Sequence, residues 1–116
     1  MIDFEKSQEI FRKLQEFSLQ EKLVLQIKKD FKRSNVSLVI PISSSNKDIL
    51  QLLQEKLYVL LLEKFDDYLN LLYVIDISEN SLKKVQTNDI VEVSKEVAFL
   101  VFEREFQKVW FKNQYR

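Results

Sequence analysis

Apolar positions recur at intervals of three and four along most of this chain, the period of helices with one face turned inward. Phe4, Phe11, Leu14 and Phe17 follow that spacing, with Ile10 beside them. Ser18-Leu19-Gln20-Glu21 has the form of a capping box. It predicts a second helix from Leu19, or a kink in one long helix, with Leu23, Val24, Ile27 and Phe31 on one stripe. The pattern breaks between Ser34 and Ser45. Val36 to Ile40 is β-branched and partly alternating, which favours extended backbone. Pro41 cannot donate to a sheet ladder and restricts Ile40 before it. An extended, partly buried connection is expected there, with a short edge strand as the alternative.

Ser45 or Asn46 is the expected cap of a third helix, with Asp48 near its positive end. Ile49, Leu50, Leu52, Leu53, Leu57, Leu60 and Leu61 make this helix apolar nearly all round, the pattern of an element covered on more than one side. After a short turn at Glu63 to Asp67, a further segment runs from Phe65 through Tyr68, Leu69, Leu72 and Tyr73 to Ile75, and a strand over 73–77 is its alternative. Ser78 fits the cap of a short helix with Leu82 and Val85 facing in. Thr87-Asn88-Asp89 stops that helix and caps the last one, Ile90 to about Asn113. No repeat or linker interrupts the chain. Residues 1–116 read as a single all-α domain, a small bundle of five or six helices with an extended Pro-containing segment near residues 34–45. An α+β fold with short edge strands is the alternative.

The last helix is the most informative. At about 100° per residue, Ile90, Val93, Val97, Leu100, Val101 and Phe111 form one stripe. Val91, Ala98, Phe102, Phe106 and Val109 form a second, with Phe99 and Trp110 at the edge of the polar arc. A helix covering a small core needs one stripe. Two mean either that this helix runs through the centre of its own domain, or that the second stripe meets another chain, most simply a symmetry mate. The working expectation is the second, with Phe99, Phe102, Phe106, Trp110 and Phe111 at the contact, because aromatic residues are favoured at interfaces.

Composition narrows the chemistry. The chain has no Gly, no Cys and no His. Disulfides, thiol nucleophiles, Cys-ligated metal and Ser-His-Asp catalysis are excluded within the chain. So are the Gly-dependent phosphate and dinucleotide loops. Tight turns must take positive φ from other residues, and Asn35, Asn46, Asn70, Asn80, Asn88 and Asn113 are available. Eighteen basic residues balance eighteen acidic ones. That balance gives no reason to expect nucleic acid or an anionic membrane. The N-terminus lacks the basic start and apolar run of a signal peptide, so a cytoplasmic protein is expected.

Several charged groups are candidates for a site. Glu63, Asp66 and Asp67 would share one side of a helix, and could hold a hard cation or simply form a solvated cap. Glu92, Glu96 and Glu103 share a face but lack the Glu-x-x-His partner of a di-iron bundle. Glu92 with Lys95 and Glu105 with Lys108 read as ordinary surface pairs. Lys28-Lys29-Asp30-Phe31-Lys32-Arg33 is the one basic cluster, a nucleic-acid candidate or a cationic helix C-terminus; Lys112 and Arg116 suit the end of the last helix in the same way. Arg104 and Lys108 lie on the first stripe and need a carboxylate or a path to water. Asp66, Asp67 and Asp76 are candidate partners, and Arg104 with Asp76 is the candidate buried charge. No cofactor or metal is implied.

Two blocks carry a resemblance. Leu71-Leu72-Tyr73-Val74-Ile75-Asp76-Ile77-Ser78-Glu79 resembles an "LLY-x-ID-x-SE" segment of short uncharacterised bacterial helical proteins. Phe102-Glu103-Arg104-Glu105-Phe106-Gln107-Lys108-Val109 resembles their closing "ERE-x-QK" helix. The resemblance implies a helix ending near Asp76 and a fresh cap at Ser78; it implies no activity. This chain departs from it at Val74, where a basic residue is expected, and in its aromatic tail. The expected role is a non-catalytic protein-interaction module, homodimeric through the C-terminal helix and open to an unidentified protein partner. A nucleic-acid accessory protein and a small enzyme using Lys, Tyr and carboxylate groups are the alternatives.

Overall fold

A computed structural model describes residues 4–115. Met1 to Asp3 and Arg116, with the readings that fall on them, lie outside the described residues. Six helices follow one another: α1 Phe4–Glu16, α2 Gln20–Arg33, α3 Asn46–Glu63, α4 Phe65–Ile75, α5 Glu79–Lys83 and α6 Ile90–Gln114. Neither strand alternative forms: 36–42 is irregular chain and 73–75 stays within α4. The fold is an all-α bundle with one hydrophobic core drawn from α1, α2, α3, α4, α6 and the connection at Val36 and Ile40. Its radius of gyration is 13.5 Å, close to the ~13 Å expected of a single folded unit of this length.

Side-chain caps start three of the helices. Ser45 and Asp48 form a reciprocal capping box on α3. Ser78 accepts from Ser81 N–H at α5, and Asp89 accepts from Val91 and Glu92 N–H at α6. The expected box at Ser18 is absent. Leu19 precedes α2 with no side-chain cap, and Ser18 instead sits at φ 54°, the left-handed stop after α1.

That stop belongs to a set of three. Ser18, Asn35 and Asp76 take positive φ after α1, α2 and α4. In each case the next residue's N–H reaches back five residues, Leu19 to Leu14, Val36 to Phe31 and Ile77 to Leu72. This is the Schellman pattern, and each pair it joins is apolar. A left-handed residue with a Cβ costs roughly 1–2 kcal/mol relative to glycine's free access. Ser18→Gly is therefore expected to stabilise the fold by about 0.5–1 kcal/mol in urea titration, after glycine's greater unfolded-state entropy is subtracted. A loss of stability would show that Ser18 is held there by more than backbone geometry.

The two helices that are apolar most nearly all round, α3 and α6, make the most extensive helix contact in the molecule, and α1, α2 and α4 also pack on α6. Apart from its ends and a polar strip at Gln107, α6 is covered by its own chain. Phe102 meets Phe11 of α1 edge to face at 5.7 Å. Glu105, Lys108 and Lys112 turn toward α2, and Arg104 toward the end of α4. Both stripes are thus met within one molecule: Val97 and Val101 from the first, Ala98, Phe102, Phe106 and Val109 from the second, are all buried.

This corrects the expected contact surface. Phe99, Phe102 and Phe106 are core residues and cannot meet a second chain without unfolding the first. Trp110 is half-buried, packed on Phe106 and Phe17 with the Lys13 ammonium over its ring. Only Phe111 is open, at 54% exposure. The physical reason is economy of burial: a 25-residue helix with two apolar faces suits the middle of a bundle, where different neighbours take different faces.

Candidate functional site

Sequence position places two sets of polar side chains against each other between α2 and α6. Gln26 and Asp30 are one turn apart on the buried face of α2. Glu105, Lys108 and Lys112 follow at intervals of three and four on α6. Lys108 Nζ donates to Asp30 Oδ2 at 2.7 Å and lies 3.4 Å from Glu105 Oε1. Gln26 Nε2 donates to Asp30 Oδ2 at 3.2 Å, and Lys112 Nζ donates to Gln26 Oε1 at 2.8 Å. Arg33 stands 3.6 Å from the other Asp30 oxygen. A ladder of polar contacts therefore runs from the bundle interior to the molecular surface.

Both carboxyls at its inner end are fully buried. Burial pushes Asp30 up, but hydrogen bonds from Glu105, Lys108 and Gln26, with the Lys108 charge, outweigh it and hold the group below its ordinary value. For Glu105, burial and then the neighbouring Asp30 push the pKa up to about 9, against a smaller pull from Lys108. Neither Glu105 oxygen accepts a hydrogen bond from a fixed donor. A proton on Glu105, donated to the Asp30 carboxylate, satisfies the pair. With Lys108 the group then carries one negative and one positive charge. Neither acid keeps any exposed surface, and both lie between α2 and α6.

Where the ladder surfaces, α2 and α6 enclose a cleft of about 350 Å³. Leu25 and Val109 supply its apolar surface, and Lys22, Lys29 and Lys112 stand around it. Lys22, Leu25 and Lys29 share this side of α2 because they are three, four and seven residues apart. A second cleft, about 620 Å³, lies between α2 and the extended segment, with Leu25 on its edge and Ile40, Pro41 and Ile42 opposite.

The other sequence candidates disperse. Glu63, Asp66 and Asp67 are exposed, and among the described residues no three acidic groups gather as metal ligands would. Arg104 pairs with Asp76 at 3.2 Å and also donates to the Asp76 carbonyl at 3.1 Å. Their side chains are 31% and 80% exposed, so this is a surface clamp on the end of α4 and not a buried charge. Lys108 chooses Asp30, which is none of the three acids considered for it. Glu92 and Lys95 form the expected exposed pair, whereas Glu105 and Lys108 belong to the interior. In the basic cluster, Lys28, Lys29, Lys32 and Arg33 are exposed while Asp30 and Phe31 are buried. No helix among the described residues is long and apolar enough to cross a membrane.

One surface was missed by the sequence reading. On α4, Phe65, Leu69 and Tyr73 follow one another at four-residue intervals and are 53%, 49% and 84% exposed. The opposite face, Tyr68, Leu71, Leu72 and Ile75, is buried. The last turns of α3 expose Val59 and Leu62 just before the bend at Lys64. Comparison of the chain with protein-family models, curated proteins and solved structures finds no match.

Proposed function

We propose that this chain is a non-catalytic helical interaction module that pairs with a second copy of itself through the outer face of α4. The observation that carries the reading is the exposed row of Phe65, Leu69 and Tyr73. A row at i, i+4 and i+8 is an apolar stripe on a helix whose other face is already buried.

The row suits a second copy in antiparallel register. A twofold axis near Leu69 would lay Phe65 of each copy across Tyr73 of the other, the self-complementary arrangement of a twofold dimer. The chain's zero net charge adds no long-range repulsion between copies.

Sedimentation equilibrium at tens of micromolar should report a dimer. Leu69→Glu should convert it to a monomer with an unchanged helical circular-dichroism spectrum, since Leu69 is a surface residue in the isolated chain. A wild-type protein that stays monomeric across that range would remove the reading.

A further inference from the structure

The lysine-rimmed cleft between α2 and α6 is separate from the α4 face and stands without the self-association reading. Its surface is apolar at Leu25 and Val109, and three cations stand around it. No carboxylate lines it. Among the described residues, none lies within ion-pair distance of Lys22, Lys29 or Lys112. Four lysines do pair with acids, Lys6 with Glu103, Lys13 with Glu9, Lys95 with Glu92 and Lys108 with Asp30; most of the others are exposed like these three. What sets Lys22, Lys29 and Lys112 apart is the apolar depression they share.

One of the three is also held in place. Lys112 donates to Gln26, and Gln26, itself buried, donates to Asp30. An ordinary surface lysine samples many rotamers, and ordering it on binding opposes affinity. Here the ordering is already done by the ladder beneath, so the ammonium is presented at the cleft before any ligand arrives.

Size selects the occupant. On α2 the lining runs from Lys22 to Lys29 and on α6 from Val109 to Asn113, about 10 Å and 6 Å of helix. A docked partner helix needs a groove that takes anchors over several turns. A volume of about 350 Å³ lies at the low end of small-molecule pockets, which run from about 300 to 1,000 Å³. We infer that this cleft binds a small anionic amphiphile, its apolar body against Leu25 and Val109 and its carboxylate among Lys22, Lys29 and Lys112.

The test is a heteronuclear NMR titration of the full chain with sodium octanoate, alongside octanol, octyltrimethylammonium and a Glu/Leu-patterned helical peptide. Octanoate should give saturable shifts confined to residues around Lys22, Leu25, Lys29, Val109 and Lys112. Octanol and the cationic amphiphile should bind at least tenfold more weakly. Lys29→Glu and Lys22→Glu, both at exposed positions, should each weaken octanoate about tenfold while leaving the circular-dichroism spectrum unchanged. The inference is overturned if octanoate does not saturate, if its shifts lie elsewhere, or if octanol or the cation binds as well. It is equally overturned if the peptide displaces octanoate and binds more tightly, because the cleft would then be a protein-docking surface.

Discussion

Phe102→Ala is expected to lower the unfolding free energy by about 3–5 kcal/mol, the cost of emptying a fully buried aromatic site that cannot collapse. The ring has no exposed surface and rests edge-on against Phe11. Phe111→Ala, nine residues on and open to water, should change stability by no more than about 0.5 kcal/mol. Urea denaturation of the two variants side by side decides whether α6 is the centre of the bundle. Equal, small losses would mean that Phe102 faces solvent or another chain, as the two-stripe pattern alone allowed.

Lys108→Met should also destabilise by about 3–5 kcal/mol near neutral pH, because it strands a buried negative charge. The same cluster gives stability a pH dependence whose sign follows from Glu105. In the unfolded chain this acid loses its proton near the ordinary value of 4.5, while in the fold it keeps it up to about 9. The folded form therefore binds the extra proton throughout that interval. Its contribution is complete below 4.5 and falls away as the pH rises toward 9, at up to about 1.4 kcal/mol per pH unit. Asp30 runs the other way: its lowered value means a contribution present above the ordinary 3.8 and lost as the pH falls below it. Urea midpoints measured from pH 4 to 9 should decline for the wild type. Glu105→Gln, which keeps a hydrogen-bond donor without a titrating proton, should flatten the decline. An equal slope in both proteins would show that Glu105 is not the group responsible.

Much of the fold was legible because short-range rules decide it. Ser45, Ser78 and Asp89 each precede a periodic apolar run and each caps its helix. Ser18 looked like the same signal and was not. A serine in the middle of a three-residue break can cap the next helix or stop the previous one, and here the stop wins because Leu19 must reach back to Leu14. The two stripes of α6 were also legible, but not what covers them. Hydrophobic periodicity states how much of a helix must leave water and is silent on whether the cover comes from the same chain.

The polar ladder was hidden for a different reason. Asp30 sits among lysines in sequence and Glu105 is followed by Lys108, so each matches the composition of a solvated helix face. One sign was available: Glu105 falls in the gap between the two apolar stripes, on the side of α6 with the least room for water. The α4 row was masked by the opposite problem. Phe65, Leu69 and Tyr73 interleave with buried Tyr68 and Leu72, so the apolar pattern of the segment does not separate an inner from an outer face.

The position of α6 has a bearing on how the molecule is made. Of the six helices it emerges last from the ribosome, yet it is the post around which the others close. At roughly 5–20 residues per second, several seconds pass with Leu14, Leu53 and Leu57 already synthesised before the central helix that shares their core. Contacts of α4 with α2 and α3 can form before then, but a truncation before Ile90 removes the helix on which α1, α2, α3 and α4 all pack.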